Sequence, residues 1–466
     1  MQVIFPVCKG VQRLLGDQPI RCGKYKSSVY NYFLQFENDW YVYNSCSRAF
    51  AQLTEEEYNM LRQGISIDGL PVNNEQIETL ISSRYLMQEE TDETDSYIQI
   101  AGLISDMTYC EDITSYTILT TTACNARCFY CFESDFKPVS MSEQTARDLA
   151  EYIAEHCGKK TVRLHWFGGE PLCNIKAIET IVGILKEKKI PYVSDIITNG
   201  YAFDEDIIKR ARNQWQLKRA QITLDGMAEE HNRRKNFQVK DANPFDEIIK
   251  NIHLLAENGI SVSIRLNFDQ NNIESIQNLI QYLIANFKGK KNIHAYPSML
   301  FDACGAWNAN RTESESKSLQ DYLQEFNITL ANAGLLSYGR LSRGFKIYHC
   351  GSNDPRHRTV NPDGRFSVCH NYSDTCVYGD IYHGITDRVL FDKWMKNVKV
   401  REKCVGCKWL PECTSFDQCP TVHSDCDKDV QRKTKFLLEK EIEKWKESEV
   451  KRPEKGRYSF DSFDWT

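Results

Sequence analysis

No apolar run in the 466-residue chain approaches the roughly 20 residues that cross a bilayer. The opening stretch, MQVIFPVCKGVQRLLG, lacks a cationic start followed by a long apolar core, so no signal peptide is expected. Excess positive charge is absent too. The formal net charge is −6, which gives no electrostatic footprint for nucleic acid or an anionic membrane. Together these absences imply a cytoplasmic protein with no nucleic-acid and no membrane partner. What remains is a folded composition, 41% hydrophobic and 11% aromatic, on a chain long enough for about three domains.

Cysteine is the residue present in excess. There are 18, and a reducing cytosol disfavours disulfides, so thiols at this density point to metal ligation or redox chemistry. They cluster. Cys124, Cys128 and Cys131 lie within eight positions. Cys369, Cys376, Cys404, Cys407, Cys413, Cys419 and Cys426 crowd a second stretch, with Cys350 just before it. The scattered remainder (Cys8, Cys22, Cys46, Cys110, Cys157, Cys173 and Cys304) fit small buried hydrophobes.

Along the chain, SVYNYFLQFENDWYVYNSC (28–46) alternates apolar and polar residues around END and predicts a β-hairpin. Thr54 and Glu57 form a capping box ahead of a helix carrying Tyr58 and Leu61. A second helix is expected with Ile77, Leu80 and Ile81 as its stripe. The acidic run 88–96 is expected to be a linker closing a hairpin-plus-helices domain over 1–95. From 115 onward β-branched runs alternate with helical periods. The strands are SYTILTTT, TVRLHWF, YVSDIIT, RAQITL, SVSIRLNF and NIHAYPSML, and helices start near Ser142, Asn174, Asp204, Pro244 and Asn272. Six β/α units in series predict an α/β fold, a parallel sheet curled into a partial barrel over 110–310. Residues 345–430 show little periodicity and much Cys, Gly and Asp, a composition not expected to bury a large apolar core, so bound metal is expected to organise them. A charged amphipathic helix and an aromatic tail occupy 431–466.

The cysteine spacing C-x3-C-x2-C follows the first barrel strand. Three thiolates leave a tetrahedral zinc site one ligand short. They suit a 4Fe-4S cluster, in which one iron then stays open. Cluster, zinc and plain packing all remain open on spacing alone. The later strand ends add polar motifs in a common register: WFGGEPL with Gly168, Gly169 and Glu170, ITNG with Thr198 and Asn199, TLDG with Thr223 and Asp225, and IRLNFD with Asn267. In β/α barrels, ligands gather at the C-terminal strand ends.

With these motifs in place, residues 115–300 resemble radical S-adenosylmethionine (SAM) enzymes, down to Tyr130 before the last cysteine and GGEP at 168–171. The resemblance implies that Cys124, Cys128 and Cys131 hold a 4Fe-4S cluster whose fourth iron chelates SAM. It implies that Gly168, Gly169 and Glu170 hold the SAM amino group, with Thr198, Asn199, Thr223, Asp225 and Asn267 nearby. Arg233 or Arg234 would take its carboxylate. The chemistry implied is one-electron cleavage of SAM to a 5′-deoxyadenosyl radical, driven by a reductant such as flavodoxin or ferredoxin.

The C-terminal cysteines resemble the SPASM extension of these enzymes, which implies two auxiliary 4Fe-4S clusters and three clusters in all. Cys404, Cys407, Cys413 and Cys426 would hold the outer one, and Cys350, Cys369 and Cys419 the inner one. Cys376 would either complete the inner set or leave an iron open to a substrate thiolate. A zinc ribbon is the alternative. Enzymes that convert a cysteine or serine to formylglycine carry a basic aspartate after the second SPASM cysteine; here that residue is His370, an imidazole still able to take a proton. The N-terminal domain, winged-helix-like, resembles leader-recognition domains that capture a precursor peptide as an added strand. The expectation is a peptide maturase that closes a crosslink, a thioether first, with carbon–carbon or carbon–oxygen bonds, formylglycine formation and a non-catalytic zinc-ribbon protein as alternatives.

Overall fold

The computed structural model describes residues 1–67, 75–109, 112–134, 137–239, 243–300, 313–336, 341–345, 347–348, 350–370, 376–396, 400–414 and 428–450. The chain divides into two compact units, each built from separate stretches. One comprises Met1–Leu103, Tyr338–His349 and Val398–Thr466; the other comprises Ile104–Ser337 and Cys350–Asn397. The stretch 345–430 therefore contributes to both.

The first unit opens with β1 (Gln2–Phe5), α1 (Lys9–Leu15) and β2 (Lys24–Ser27). The expected hairpin follows as β3 (Asn31–Phe36) and β4 (Asp39–Asn44), then β5 (Phe50–Leu53), α2 (Glu55–Gln63), β6 (Ile65–Ser66), α3 (Glu75–Ser82) and β7 (Leu86–Gln88). The capping box on α2 is present, with Thr54 accepting from the Glu57 amide and Glu57 reaching back to the Thr54 amide. One sheet runs β1-β5-β4-β3. Alternation along β3 and β4 sends Phe33, Trp40 and Val42 toward the apolar stripe Leu61, Ile77, Leu80 and Ile81. The other face, with Leu34, Tyr41, Tyr43 and Phe50, packs on Leu437, Leu438 and Ile442 of the C-terminal helix. That helix docks because its apolar stripe meets an uncovered sheet face.

Residues 88–96 are a correction to the linker expectation. The helix α4 (Glu93–Tyr109) begins inside the acidic run. Acidic side chains favour a first helical turn, and Glu93 is buried there, accepting from Ser28 Oγ at 2.5 Å and the Val29 amide at 2.9 Å.

The second unit carries the parallel sheet. Its strands and helices are β8 (Ser115–Thr121), α5 (Glu143–His156), β9 (Val162–Gly168), α6 (Ile175–Glu187), β10 (Tyr192–Thr198), α7 (Glu205–Asn213), β11 (Leu217–Leu224), α8 (Ala228–Lys235), α9 (Pro244–Glu257), β12 (Ser261–Phe268), α10 (Ile273–Phe287), β13 (Ile293–Met299) and α11 (Glu313–Asn332). Ser142 and Asp204 cap α5 and α7 by accepting the Thr145 and Ile207 amides, and Pro244 opens α9. The six strands pair in parallel from β8 to β13 in sequence order.

A parallel sheet covered on both faces shows near-continuous apolar runs. These strands alternate instead. Val262, Ile264, Leu266 and Phe268 of β12 are fully buried, while Ser263, Arg265 and Asn267 share the other face. In register with them lie His294, Tyr296 and Ser298 of β13. One face is thus an apolar helix-packing surface and the other a polar surface, as a curled, partly open barrel requires.

Past α11 come β14 (His357–Val360), β15 (Arg365–Ser367), β16 (Val377–Asp380), β17 (Gly384–Ile385), α12 (Arg388–Met395), α13 (Leu410–Cys413) and α14 (Lys428–Val450). Strand β14 pairs in parallel with β8, and β15 to β17 extend the same sheet antiparallel, giving ten strands. The expectation that this segment lacks an apolar core is corrected here. Val360, Phe366, Val368, Tyr378, Phe391 and Trp394 are all buried, on or beside strands of two to four residues and an eight-residue helix, too short for a period to show.

Candidate active site

The cysteine loop leaves β8 and is fastened on two sides. On one side the Gly169 amide donates to Thr121 O and the Glu170 amide to Ala123 O, both at 2.9 Å. The approach leaves no room for side chains. A Cβ on Gly168 would stand 2.1 Å from Thr121 O, and one on Gly169 would stand 2.5 Å from Ala123 O. The two glycines are needed for this close approach. On the other side the Arg127 amide donates to Lys235 O at 2.9 Å, and the Gln238 amide to Asn125 O at 2.8 Å.

Glu170 is fully buried. Its carboxylate accepts from the Leu172 amide (3.1 Å), Thr198 Oγ1 (2.8 Å) and the Asn199 amide (2.8 Å). Burial raises its pKa, and these donors oppose the shift. The carboxylate therefore serves to join the ends of β9 and β10. Asn199 Nδ2 in turn donates to Asn125 Oδ1 at 2.6 Å, within the cysteine loop.

Tyr130 is the hub on the opposite side. Its hydroxyl donates to Asp225 Oδ2 at 2.7 Å and accepts from Lys235 Nζ at 2.7 Å, with Asn267 Nδ2 at 3.4 Å. Asp225 is fully buried and Lys235 nearly so. Burial alone would push the Lys235 ammonium down, but Asp225, Tyr130 and Cys128 facing it raise it, so it stays charged. Lys235 was not singled out from the sequence. Its signal, a lysine closing the basic run HNRRK, looks like any solvated surface.

The two candidate arginines separate. Arg233 is exposed and held by Glu230 at 2.7 Å. Arg234 is buried, paired with Asp269 at 2.7 Å, and its guanidinium lies 4.8 Å from the Phe129 ring centre. Thr223 lies in register beside Arg265. His370 is brought to the site by the far end of the sheet, its ring centre 4.4 Å from Phe167 and 5.9 Å from Phe132. Burial holds its pKa down to about 4, so it is neutral. Glu133, two residues past the last cysteine, is also buried, with Oε1 unpartnered among the described residues.

Of the other expected ligands, Cys369 follows Val368, whose amide donates to Cys376 O at 3.0 Å. Cys350 opens a 3-10 turn, Gly351–Asn353. Cys404 and Cys407 share a turn, with the Cys407 amide donating to Cys404 O at 3.1 Å, and Cys413 ends α13. Cys419 and Cys426 lie outside the described residues.

The first cysteine set fits a 4Fe-4S cluster. All three thiols are free and half-buried. Burial pushes the Cys124 thiol up to about 12, so it ionises only against a strong cation. Asn267 Oδ1, at the same strand ends, is buried and unpartnered among the described residues, free for a ligand. Among those residues no three Cys, His, Asp or Glu side chains converge as on a single ion; cluster thiolates each take a separate iron.

Residues 118–283 match the family model described as Radical SAM superfamily. This part of the chain is a radical SAM domain. The family implies a 4Fe-4S cluster and SAM. GTP 3′,8-cyclase of Clostridium perfringens is 30% identical over 163 residues, 34% of this chain and 47% of that protein. The chain thus spans about half the length of the first curated relatives it matches. Uncharacterized protein MJ0907 of Methanocaldococcus jannaschii is 24% identical over 268 residues, 56% of this chain and 86% of that one. Among solved structures, anSMEcpe with bound AdoMet shares the fold at a TM-score of 0.54 and 19% identity, over 71% of this chain and 98% of that one. Among the described residues, no helix is long and apolar enough to cross a membrane.

Proposed function

We propose that the chain is a radical SAM enzyme that matures a ribosomally made peptide by closing a crosslink, a thioether first. The observation that carries the SAM site is the double fastening of the cysteine loop, by Glu170 and Asn199 on one side and Tyr130, Asp225 and Lys235 on the other. Cys124, Cys128 and Cys131 would hold the cluster, and Gly168, Gly169, Asn199 and Asn267 would border SAM. When bound, the pair supplies one-electron cleavage of the sulfonium and abstraction of a hydrogen atom. The chain's own residues aim that chemistry: the glycines admit the backbone, and Tyr130 and Lys235 fix the loop.

The peptide substrate is supported by the fold shared with anSMEcpe, also solved with bound AdoMet and Kp18Cys peptide at a TM-score of 0.53 and 18% identity. The cysteines from Cys350 onward would hold two auxiliary clusters. The first unit, a sheet between helices, would dock the leader. A second reading, oxidation of a cysteine or serine to formylglycine, is favoured by the position of His370, whose ring centre lies 4.4 Å from Phe167 and 5.9 Å from Phe132. Mass spectrometry of cysteine-containing peptides encoded beside the gene, before and after anaerobic incubation with reductant and SAM, tests the proposal. Loss of two hydrogens with alkylation of the cysteine blocked supports a thioether. A product carbonyl in its place moves the assignment to formylglycine, and an unmodified set of peptides counts against maturation.

A further inference from the structure

The polar face of the barrel strands carries an uneven charge. On that face stand Arg163 and His165 of β9, Arg219 of β11, Arg265 of β12 and His294 of β13, against one carboxylate, Asp195 of β10. Asp195 is already engaged, 2.7 Å from His165 Nδ1 and 3.8 Å from Arg219. Arg265 is different. Its Nε is buried and has no hydrogen-bond partner among the described residues, and the same holds for Nδ1 of His294. Its row of the sheet holds Thr223 on one side and Tyr296 on the other. Tyr296 donates to Gln221 at 3.0 Å, and Arg265 and Arg219 both bear on its hydroxyl electrostatically. The guanidinium is half-buried, and an Nε shut off from water with no acceptor leaves it donor capacity that an anion would complete. The planar fork suits a carboxylate held through two parallel bonds.

Depth identifies which carboxylate. Asn267 marks the strand end where SAM is placed. Arg265 sits two residues below it on the same face, about 7 Å farther in. We propose that Arg265, with Tyr296 and His294 beside it, is a subsite for the acidic side chain of an aspartate or glutamate in the substrate peptide. The inference rests on the reading of the chain as a peptide-modifying enzyme and adds that the modified segment carries a carboxylate.

The test uses cluster-reconstituted protein with SAM present, titrated under anaerobic conditions with N-acetylglutamyl amide, N-acetylglutaminyl amide and N-acetylalanine, followed by saturation-transfer NMR. The glutamyl amide is expected to bind about tenfold more tightly than the glutaminyl amide. Arg265→Gln is expected to erase that preference and Arg265→Lys to retain part of it. Equal binding of the two amides by the unmodified protein, or a preference that survives in Arg265→Gln, overturns the subsite. Tighter binding of N-acetylalanine overturns the side-chain assignment in favour of a peptide C-terminus. A tenfold loss of SAM affinity in Arg265→Gln overturns it in favour of the SAM carboxylate. A failure of the maturase reading itself shows separately, as cysteine-containing peptides left unmodified in the mass-spectrometric assay whatever the protein does with the amides.

Discussion

The Tyr130 hydroxyl donates to the Asp225 carboxylate at 2.7 Å across 95 residues of sequence, joining the cysteine loop to the end of the fourth barrel strand. Lys235 completes the group from α8, 3.5 Å from Asp225. Removing the cation strands a fully buried carboxylate. Lys235→Met is therefore expected to cost about 3–5 kcal/mol. Tyr130→Phe leaves the ion pair free to close and should cost only about 1–2 kcal/mol. Urea denaturation of the two variants checks the order; equal losses would mean that the hydroxyl, not the charge, holds the loop.

Gly169 offers a steric test. With Ala123 O at 2.5 Å and Thr122 O at 2.6 Å from the position of an added Cβ, Gly169→Ala forces backbone apart where β9 meets the loop. The expected result is a protein that folds, seen by far-UV circular dichroism, but retains little cluster after reconstitution. Full iron retention would show that the close approach is incidental.

Glu133 gives a pH signature. Burial pushes its carboxyl up to about 7 from a usual value of 4.5. A raised acid binds more protons in the folded than in the unfolded state, so its contribution falls as pH rises from about 4.5 to about 7. The difference in stability between apoprotein and its Glu133→Gln variant is expected to shift by about 3 kcal/mol across that window. Parallel pH profiles for the two proteins would place Glu133 in contact with water.

The segments with long, strong patterns were legible in advance. Ser142, Asp204 and Pro244 mark helix starts because capping is local chemistry, and the strand-end motifs share a register because the barrel repeats. The partner choices were not legible. Whether Glu170 turns to a ligand or to Thr198 depends on a contact 28 residues away. Arg233 and Arg234 are alike in sequence, and only the packing of α8 buries one and exposes the other. The strands after His357 are two to four residues long, below the length at which alternation is visible, and their place beside β8 is a long-range pairing. The acidic run 88–96 misled because a first helical turn and a solvated linker have the same composition.

In the first unit, Arg48 and Glu412 form a buried ion pair, and Arg48 also donates to Pro411 O at 3.0 Å. The pair holds the short helix that ends at Cys413 against the N-terminal sheet. Arg48→Met alone is expected to cost about 3–5 kcal/mol, and the double variant Arg48→Met, Glu412→Leu to recover most of it. A double variant as unstable as the single one would show that the loss comes from packing.

The account depends most directly on Cys124, Cys128 and Cys131 holding a cluster that opens to SAM. The deciding measurement is the cleavage of SAM to 5′-deoxyadenosine by anaerobically reconstituted protein, alongside its iron content, with and without Cys124→Ala. The account predicts cleavage by the unmodified chain, and for the variant about four fewer irons per chain with no cleavage. Cleavage that persists in Cys124→Ala, or an unmodified chain that takes up zinc in place of iron and leaves SAM intact, would contradict it.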